Sequence, residues 1–159
     1  MDDDLSRFEE WFGQILHGLE PAQRRRGAVE LGQALRRSNL KRISANIQPD
    51  GTAMEPRKPR KEYRSRLLKR NRGKMFRGLR RARNWKISAD DEGVEIRPAT
   101  GTVSNVASVS HFGEVATVGY LRGGSPVRTR YPERRLLGFS EGDKQLALDV
   151  AAELLDPDS

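Results

Sequence analysis

The chain contains no cysteine, which excludes a disulfide framework, a thiolate metal site and a cysteine nucleophile. Its two histidines, His17 and His111, lie too far apart in sequence to form a histidine-pair metal motif. No window approaches the roughly 18 uncharged apolar residues of a membrane span, and the Asp2-Asp3-Asp4 start is the opposite of a basic signal-peptide opening. A soluble chain made in the cytosol, with no membrane association, is expected. Also missing are a Gly-rich phosphate loop followed by Lys-Ser/Thr, a nucleophile elbow and a His-Glu-x-x-His helix. Asp90, Asp91 and Glu92 cluster, but at a hairpin tip their carboxylates are solvated and lack the burial that tunes a general acid. His17 reads as a surface or partly buried helix residue, and His111 as a structural hydrogen-bonding group at a junction between elements. No catalytic residue, metal ligand or cofactor is therefore expected.

What the chain does have is charge. Of its 159 residues 33% are charged and 35% hydrophobic, enough for one domain, 1–159, with a modest core. The net charge of +8 is unevenly spread: residues 57–86 carry 15 Lys and Arg against one acid, Glu62, while the remainder holds 15 basic and 21 acidic residues. A basic middle between acidic ends attracts an anionic partner, whether nucleic acid, a membrane surface or an acidic protein.

Apolar residues at steps of three and four (Leu5, Phe8, Phe12, Ile15, Leu16, Leu19) predict a first helix that ends at Glu20-Pro21. A second runs from about Pro21 to Ile47 with two stripes, Ala28/Leu31/Leu35 and Val29/Leu40/Ile43/Ile47. It touches two neighbours or bends near Ser38-Asn39, and the turn Gln48-Pro49-Asp50-Gly51 closes it. Pro56 and Pro59 among basic residues mark an extended arm over about 52–73. A short helix is expected around Lys74 to Arg83. Trp85–Ala89 and Val94–Arg97 alternate with period two around Asp90-Asp91-Glu92-Gly93, a hairpin signal. Residues 103–110 fit a helix or a strand equally. Further strands are expected at Val115–Leu121 and Val127–Tyr131. Ser140, with Asp143 three residues on, caps a last helix whose buried face is Leu146, Ala147, Val150, Ala151, Leu154 and Leu155. The fold class is α+β: two N-terminal helices, a small antiparallel sheet and a C-terminal helix.

The basic block by itself leaves two partners open. Its lysines and arginines could neutralise phosphates, but Tyr63, Phe76 and Trp85 are too few and too widely spaced for a stacking platform, and no RNA-binding signature or helix-turn-helix spacing is present. Docking to an acidic protein surface is equally compatible.

Several strings in order break the tie. Ser38-Asn39-Leu40-Lys41-Arg42-Ile43 leading into Gln48-Pro49-Asp50-Gly51-Thr52 and Pro56-Arg57-Lys58 resembles the helix, Pro-Asp-Gly turn and basic arm of the phage virion morphogenesis family, tail completion proteins of Mu-like and related contractile-tailed phages. Lys74-Met75-Phe76-Arg77-Gly78-Leu79, His111-Phe112-Gly113 and Tyr131-Pro132-Glu133-Arg134-Arg135-Leu136-Leu137-Gly138 follow in register, so the likeness covers about residues 20–155. Met54 departs from it, standing where the family commonly has tryptophan. The resemblance implies a non-enzymatic virion protein, assembled in the host cytoplasm, that completes the tail and joins it to the head at the neck. It also implies a ring of identical subunits, expected to be six, whose neighbours are the tail terminator, tail tube or sheath and head-connector proteins. Contact with packaged DNA stays open, as do the ring number and which neck proteins lie above and below. A small basic nucleic-acid-binding module is the alternative. Acidic ends and a basic arm on one chain suit a head-to-tail ring, with the arm gaining order against an acidic neighbour. The expected interface residues are Arg57, Lys58, Arg60, Lys61, Arg64 and Arg66 on the arm, with Arg134 and Arg135 pointing outward at the corner after the last strand.

Overall fold

A computed structural model describes residues 10, 14, 17–57 and 75–155. Elements run in the order α1 (Pro21–Ala45), a 3-10 turn (Ala82–Asn84), β1 (Trp85–Ala89), β2 (Val94–Pro98), α2 (Gly101–Phe112), β3 (Val115–Tyr120), β4 (Pro126–Arg130) and α3 (Glu141–Leu155). The class is α+β, as expected, with a different arrangement. The second described helix follows β2, and the strands form two separate two-stranded antiparallel sheets, β1-β2 and β3-β4, where one small sheet was expected. The amphipathic helix expected over 5–19 lies largely outside the described residues. Among the described residues no helix is long and apolar enough to cross a membrane.

The described residues group into two compact units. One draws on Met1–Ser38, Lys86–Arg97 and Phe139–Ser159, the other on Asn39–Trp85 and Pro98–Gly138. The division falls within α1 at Ser38-Asn39, where a bend is one of the two alternatives read from the sequence.

In the first unit, Leu31 and Leu35 of α1 pack with Ala147 and Val150 of α3, and Val94, Ile96 and Leu154 close the cluster. Two glycines on α1 permit this approach: a Cβ on Gly32 would stand 2.5 Å from Val94 Cγ2 and 2.8 Å from Ile87 Cγ2, and one on Gly27 would collide with Leu154 Cδ1. The start of α3 is a reciprocal capping box. The Ser140 N–H donates to Asp143 Oδ2 at 2.8 Å and the Asp143 N–H donates to Ser140 Oγ at 3.3 Å, with Asp143 fully buried. Ala147, Val150 and Ala151 form the buried face as expected, whereas Leu155, in the last turn, is exposed. The β1-β2 tip is an Asx turn. Asp90 Oδ1 accepts from the N–H groups of Glu92 and Gly93, both at 2.9 Å, and these bonds hold its carboxyl below the usual range.

In the second unit the buried apolar residues are Ile43, Met54, Met75, Leu79, Trp85, Ala107 and Leu136. The helix expected around Lys74 to Arg83 is instead a run of hydrogen-bonded turns over 75–80 followed by the 3-10 turn. Phe76 has φ +59°, outside the helical range, and Gly78 follows it, so an α-helix cannot propagate. The turns serve Trp85, whose indole N–H donates to the Leu79 carbonyl at 2.8 Å. The ambiguous stretch after Pro98 is a helix. Thr100 Oγ1 accepts from the Val103 N–H at its start, and Gly113 in the left-handed conformation ends it. Sequence periodicity could not decide this, because a run of Val, Ala and Ser suits either element; the cap residues at both ends carry the information.

Candidate functional site

The segment after β4, residues 131–138, forms no helix or strand. Pro132 withholds a backbone donor and the segment pairs with no strand among the described residues, so its polar groups are satisfied by other parts of the second unit. The N–H groups of Tyr131 and Arg134 donate to the carbonyls of Glu114 and Ser110, at 3.1 and 2.8 Å. The Arg135 N–H donates to Gln48 Oε1 at 3.0 Å, the Leu136 N–H to His111 Nδ1 at 3.1 Å, and the Gly138 N–H to Asn39 Oδ1 at 3.2 Å. The Arg42 guanidinium bridges the last anchor, donating from one nitrogen to Asn39 Oδ1 at 2.9 Å and to the Gly138 carbonyl at 2.7 Å. The segment is a strap, latched to the end of α1, to the Gln48–Thr52 turn and to the end of α2. Leu136, 1% exposed, is its apolar anchor.

Two glycines are required by close approach. A Cβ on Gly138 would lie 2.7 Å from Pro49 Cγ, and one on Gly113, at φ +66°, would lie 2.8 Å from the Glu133 nitrogen. The Gln48–Thr52 turn is itself prebuilt. The Thr52 hydroxyl and N–H donate to Asp50 Oδ1 at 2.6 and 2.9 Å, and the Gln48 N–H donates to the Thr52 carbonyl at 2.8 Å. The Thr52 hydroxyl bond is the main reason that Asp50 holds its charge below the usual carboxylate range.

Arg134 corrects the expectation for the corner. It does not point outward; it is 5% exposed, and its Nε and one terminal nitrogen donate to the carbonyls of Glu55 and Pro56 at 2.6 and 3.2 Å. Burial lowers the proton affinity of this guanidinium, with the Glu55 charge acting in the opposite sense. The physical reason is the fork of the arginine head, which satisfies two backbone carbonyls at once where, among the described residues, 53–57 pair with another segment only through a single bridge, Ile47 to Ala53. Arg135 is exposed as expected and pairs with Glu133 at 3.0 Å. Met54 fills the buried position that the resemblance assigns to tryptophan and is 4% exposed. Arg57 is exposed, and Lys58, Arg60, Lys61, Arg64 and Arg66 lie outside the described residues.

Beside the strap runs an open groove of ≈ 840 Å³, lined among others by Arg57, Phe76, Arg77, Val106, Arg130 and Tyr131. Arg134 also lines it, so the structure brings Arg57 and Arg134 together and leaves Arg135 apart. Arg77 and Arg130 belong to this groove and were not singled out from the sequence. Three exposed arginines on an apolar floor suit a carboxylate- or phosphate-bearing partner better than a small uncharged ligand. Among the described residues no group of three or more potential ligands is placed to hold a metal. Asn39, Arg42 and Gln48 were also missed as contacts. Their only signal was polar character on or beside the buried face of α1, where Asn39 is 5% exposed.

His111 is the titratable member of the strap. Burial pushes its pKa below the ordinary 6.5, outweighing the nearby Glu133 carboxylate, and Arg135 adds to the lowering. Its Nδ1 accepts a proton-bearing partner, so only the neutral ring can make the Leu136 bond. With the folded pKa below the unfolded one, its contribution is complete above 6.5 and is lost as pH falls through the lowered folded value. Denaturant titrations at a series of pH values should therefore show stability declining as pH falls from 6.5 to the lowered folded value and levelling off below it. His111→Ala should remove this part of the pH dependence.

The site is thus a packing and latching device with a basic groove beside it, in an α+β protein. The profile of the phage virion morphogenesis family matches residues 3–156, and the chain belongs to that family. Tail completion protein S of Escherichia phage P2 is 31% identical to it over 148 residues, covering 93% of this chain and 95% of that one. No solved structure matches it. Four of the strings on which the family resemblance rests, Ser38–Ile43, Gln48–Thr52, His111–Gly113 and Tyr131–Gly138, meet at the strap.

Proposed function

We propose that this chain is a structural virion protein that completes the phage tail and joins it to the head at the neck, working as a ring of identical subunits and catalysing no reaction. The observation that carries this reading is the end-to-end likeness to a protein named for tail completion, 93% of one chain against 95% of the other, so that neither has a large region the other lacks. The convergence of four of the strings on which the family resemblance rests on one latched junction supports it, since a latch that rigidifies the end of α1 suits a part that must present fixed surfaces to its neighbours. The ring is expected to have six subunits, with the tail tube or sheath, tail terminator and head connector as neighbours. It would be placed at the virion neck after assembly in the host cytoplasm. Arg57, Lys58, Arg60, Lys61, Arg64, Arg66 and Arg135 are the cations offered to those neighbours, whether protein or packaged DNA. Arg134, turned inward, supports the edge of the groove instead.

Electron micrographs of particles made with and without the chain test the reading. Without it, separate heads and unjoined tails should accumulate, and supplying it should restore joined, infectious particles. Normal particles in its absence would overturn the proposal.

A further inference from the structure

The β3-β4 ribbon is the part of the second unit whose shape is least explained by its own chain. The pairs Val115 with Arg130, Thr117 with Arg128 and Tyr120 with Pro126 share one face; Ala116 with Thr129 and Gly119 with Val127 share the other, and the register shifts between Thr117 and Gly119. Ala116, Gly119 and Thr129 are half-buried, so the second face looks inward. The first face is left open, with Val115 56% and Tyr120 73% exposed, and Val118 and Leu121 beside it at 52% and 62%. An isolated two-stranded sheet is marginal in water. Aromatic residues, aliphatics and arginines together form the composition of buried interface centres.

The charge of this ribbon narrows the choice of occupant. Between residues 115 and 132 there is no acid, while Arg122, Arg128 and Arg130 are all exposed. Symmetric pairing of β4 with the β4 of another copy would set Arg128 and Arg130 of one chain beside those of the other, and like charges directly opposed destabilise a sheet. The contact therefore has to be between unlike surfaces. The chain carries one of opposite sign: the tip of the β1-β2 hairpin, where Asp90, Asp91 and Glu92 stand exposed in succession and Asp90 accepts from the turn's backbone. Three arginines on the ribbon and three carboxylates on the tip are complementary in sign.

We infer that the outer face of the β3-β4 ribbon is a docking surface for a second copy of this chain, which presents the acidic β1-β2 tip to Arg122, Arg128 and Arg130 and covers Val115 and Tyr120. Such a contact is heterologous: each copy uses one surface and offers the other, and repetition closes a ring or extends a filament. This rests on the ring reading proposed above and adds which surfaces form the joint.

The test uses the full chain and reads mass by sedimentation at low and high salt. Arg128→Glu with Arg130→Glu reverses the ribbon, and Asp91→Lys with Glu92→Lys reverses the tip while Asp90 keeps its turn bonds. Each variant, folded by circular dichroism, should lose self-association by about 30-fold or more, the scale of a lost interface centre. Mixed in equal amounts, they should assemble, because every junction in an alternating ring is then of opposite sign. Tyr120→Ser, which leaves the charge unchanged, should weaken assembly at every salt concentration and keeps the proposal testable should a reversed ribbon fail to fold. If the wild type assembles and the variants do so equally, the joint lies elsewhere and the inference fails while the ring reading stands. Variants that stay monomeric when mixed would also overturn the inference. So would variants that keep their assembly but lose retention on DNA or on tail tubes. A wild type that never self-associates, even on tail tubes, would overturn both.

Discussion

Trp85→Ala should destabilise the second unit by about 3–5 kcal/mol, the usual cost of emptying a large aromatic site in a core. Trp85 is 2% exposed and begins β1, and its N–H is tied to Leu79, which is also 2% exposed. Removing the ring opens a cavity and strips the Leu79 carbonyl of its donor, so the turns over 75–80 lose their seat as well. Urea unfolding followed by circular dichroism would measure the loss. Trp85→Phe separates the two contributions, since it retains most of the packing and gives up only the hydrogen bond, about 0.5–1.5 kcal/mol. A fall below 1 kcal/mol for the alanine variant would mean that the site collapses around the gap or that Trp85 is peripheral to the unit.

The second large effect is expected at Gly113. Its backbone is left-handed, φ 66° and ψ 43°, where a β-branched side chain is strained, and a Cβ would press on the strap at the Glu133 nitrogen, 2.8 Å away, and at the Tyr131 carbonyl oxygen, 3.0 Å away. Both obstacles are backbone and cannot swing aside. Gly113→Val should cost about 3–5 kcal/mol, the sum of the torsional and overpacking penalties. Because the displaced strap is held through bonds to Ser110 and His111, amide exchange at Arg134 and Leu136 should also accelerate. Gly101→Ala is the matching control. It lies at the start of α2 with nothing within 4 Å of the added carbon, and it should be neutral or stabilising by up to about 1 kcal/mol. Retained protection at Leu136 in Gly113→Val would show that the strap is held without this close approach.

Both variants act on the region where reading residues one segment at a time was weakest. Local patterns were legible wherever a segment is decided by its own neighbours. Pro21 starts α1, the Asp90–Gly93 turn joins two alternating strands, and Ser140 with Asp143 caps α3, because caps and turns involve partners within about four residues. Where the partner is distant the patterns misled. Arg134 sits in a charged string that reads as a solvated corner, yet its acceptors, the carbonyls of Glu55 and Pro56, are 79 and 78 positions away. Leu155 continues the apolar stripe of α3 and is nonetheless exposed, since a stripe specifies a face without specifying how far the facing elements extend. The basic groove escaped notice for the same reason: Arg57, Arg77 and Arg130 come from three stretches that no spacing rule connects.

Composition and order of segments by themselves determined the α+β class, the helices α1 and α3, the two hairpins and, through the order of its characteristic strings, the family, all of which depend on short-range periodicity or on residue identity. Tertiary structure alone decided that the strands form two separate ribbons, that Arg134 turns inward as a backbone clamp, that Asn39, Gln48 and His111 hold the strap, and that one face of β3-β4 stays open. Each of these depends on which backbone groups lack a local partner and must find one across the chain, a matter settled by three-dimensional proximity and the cost of burying an unpaired polar group.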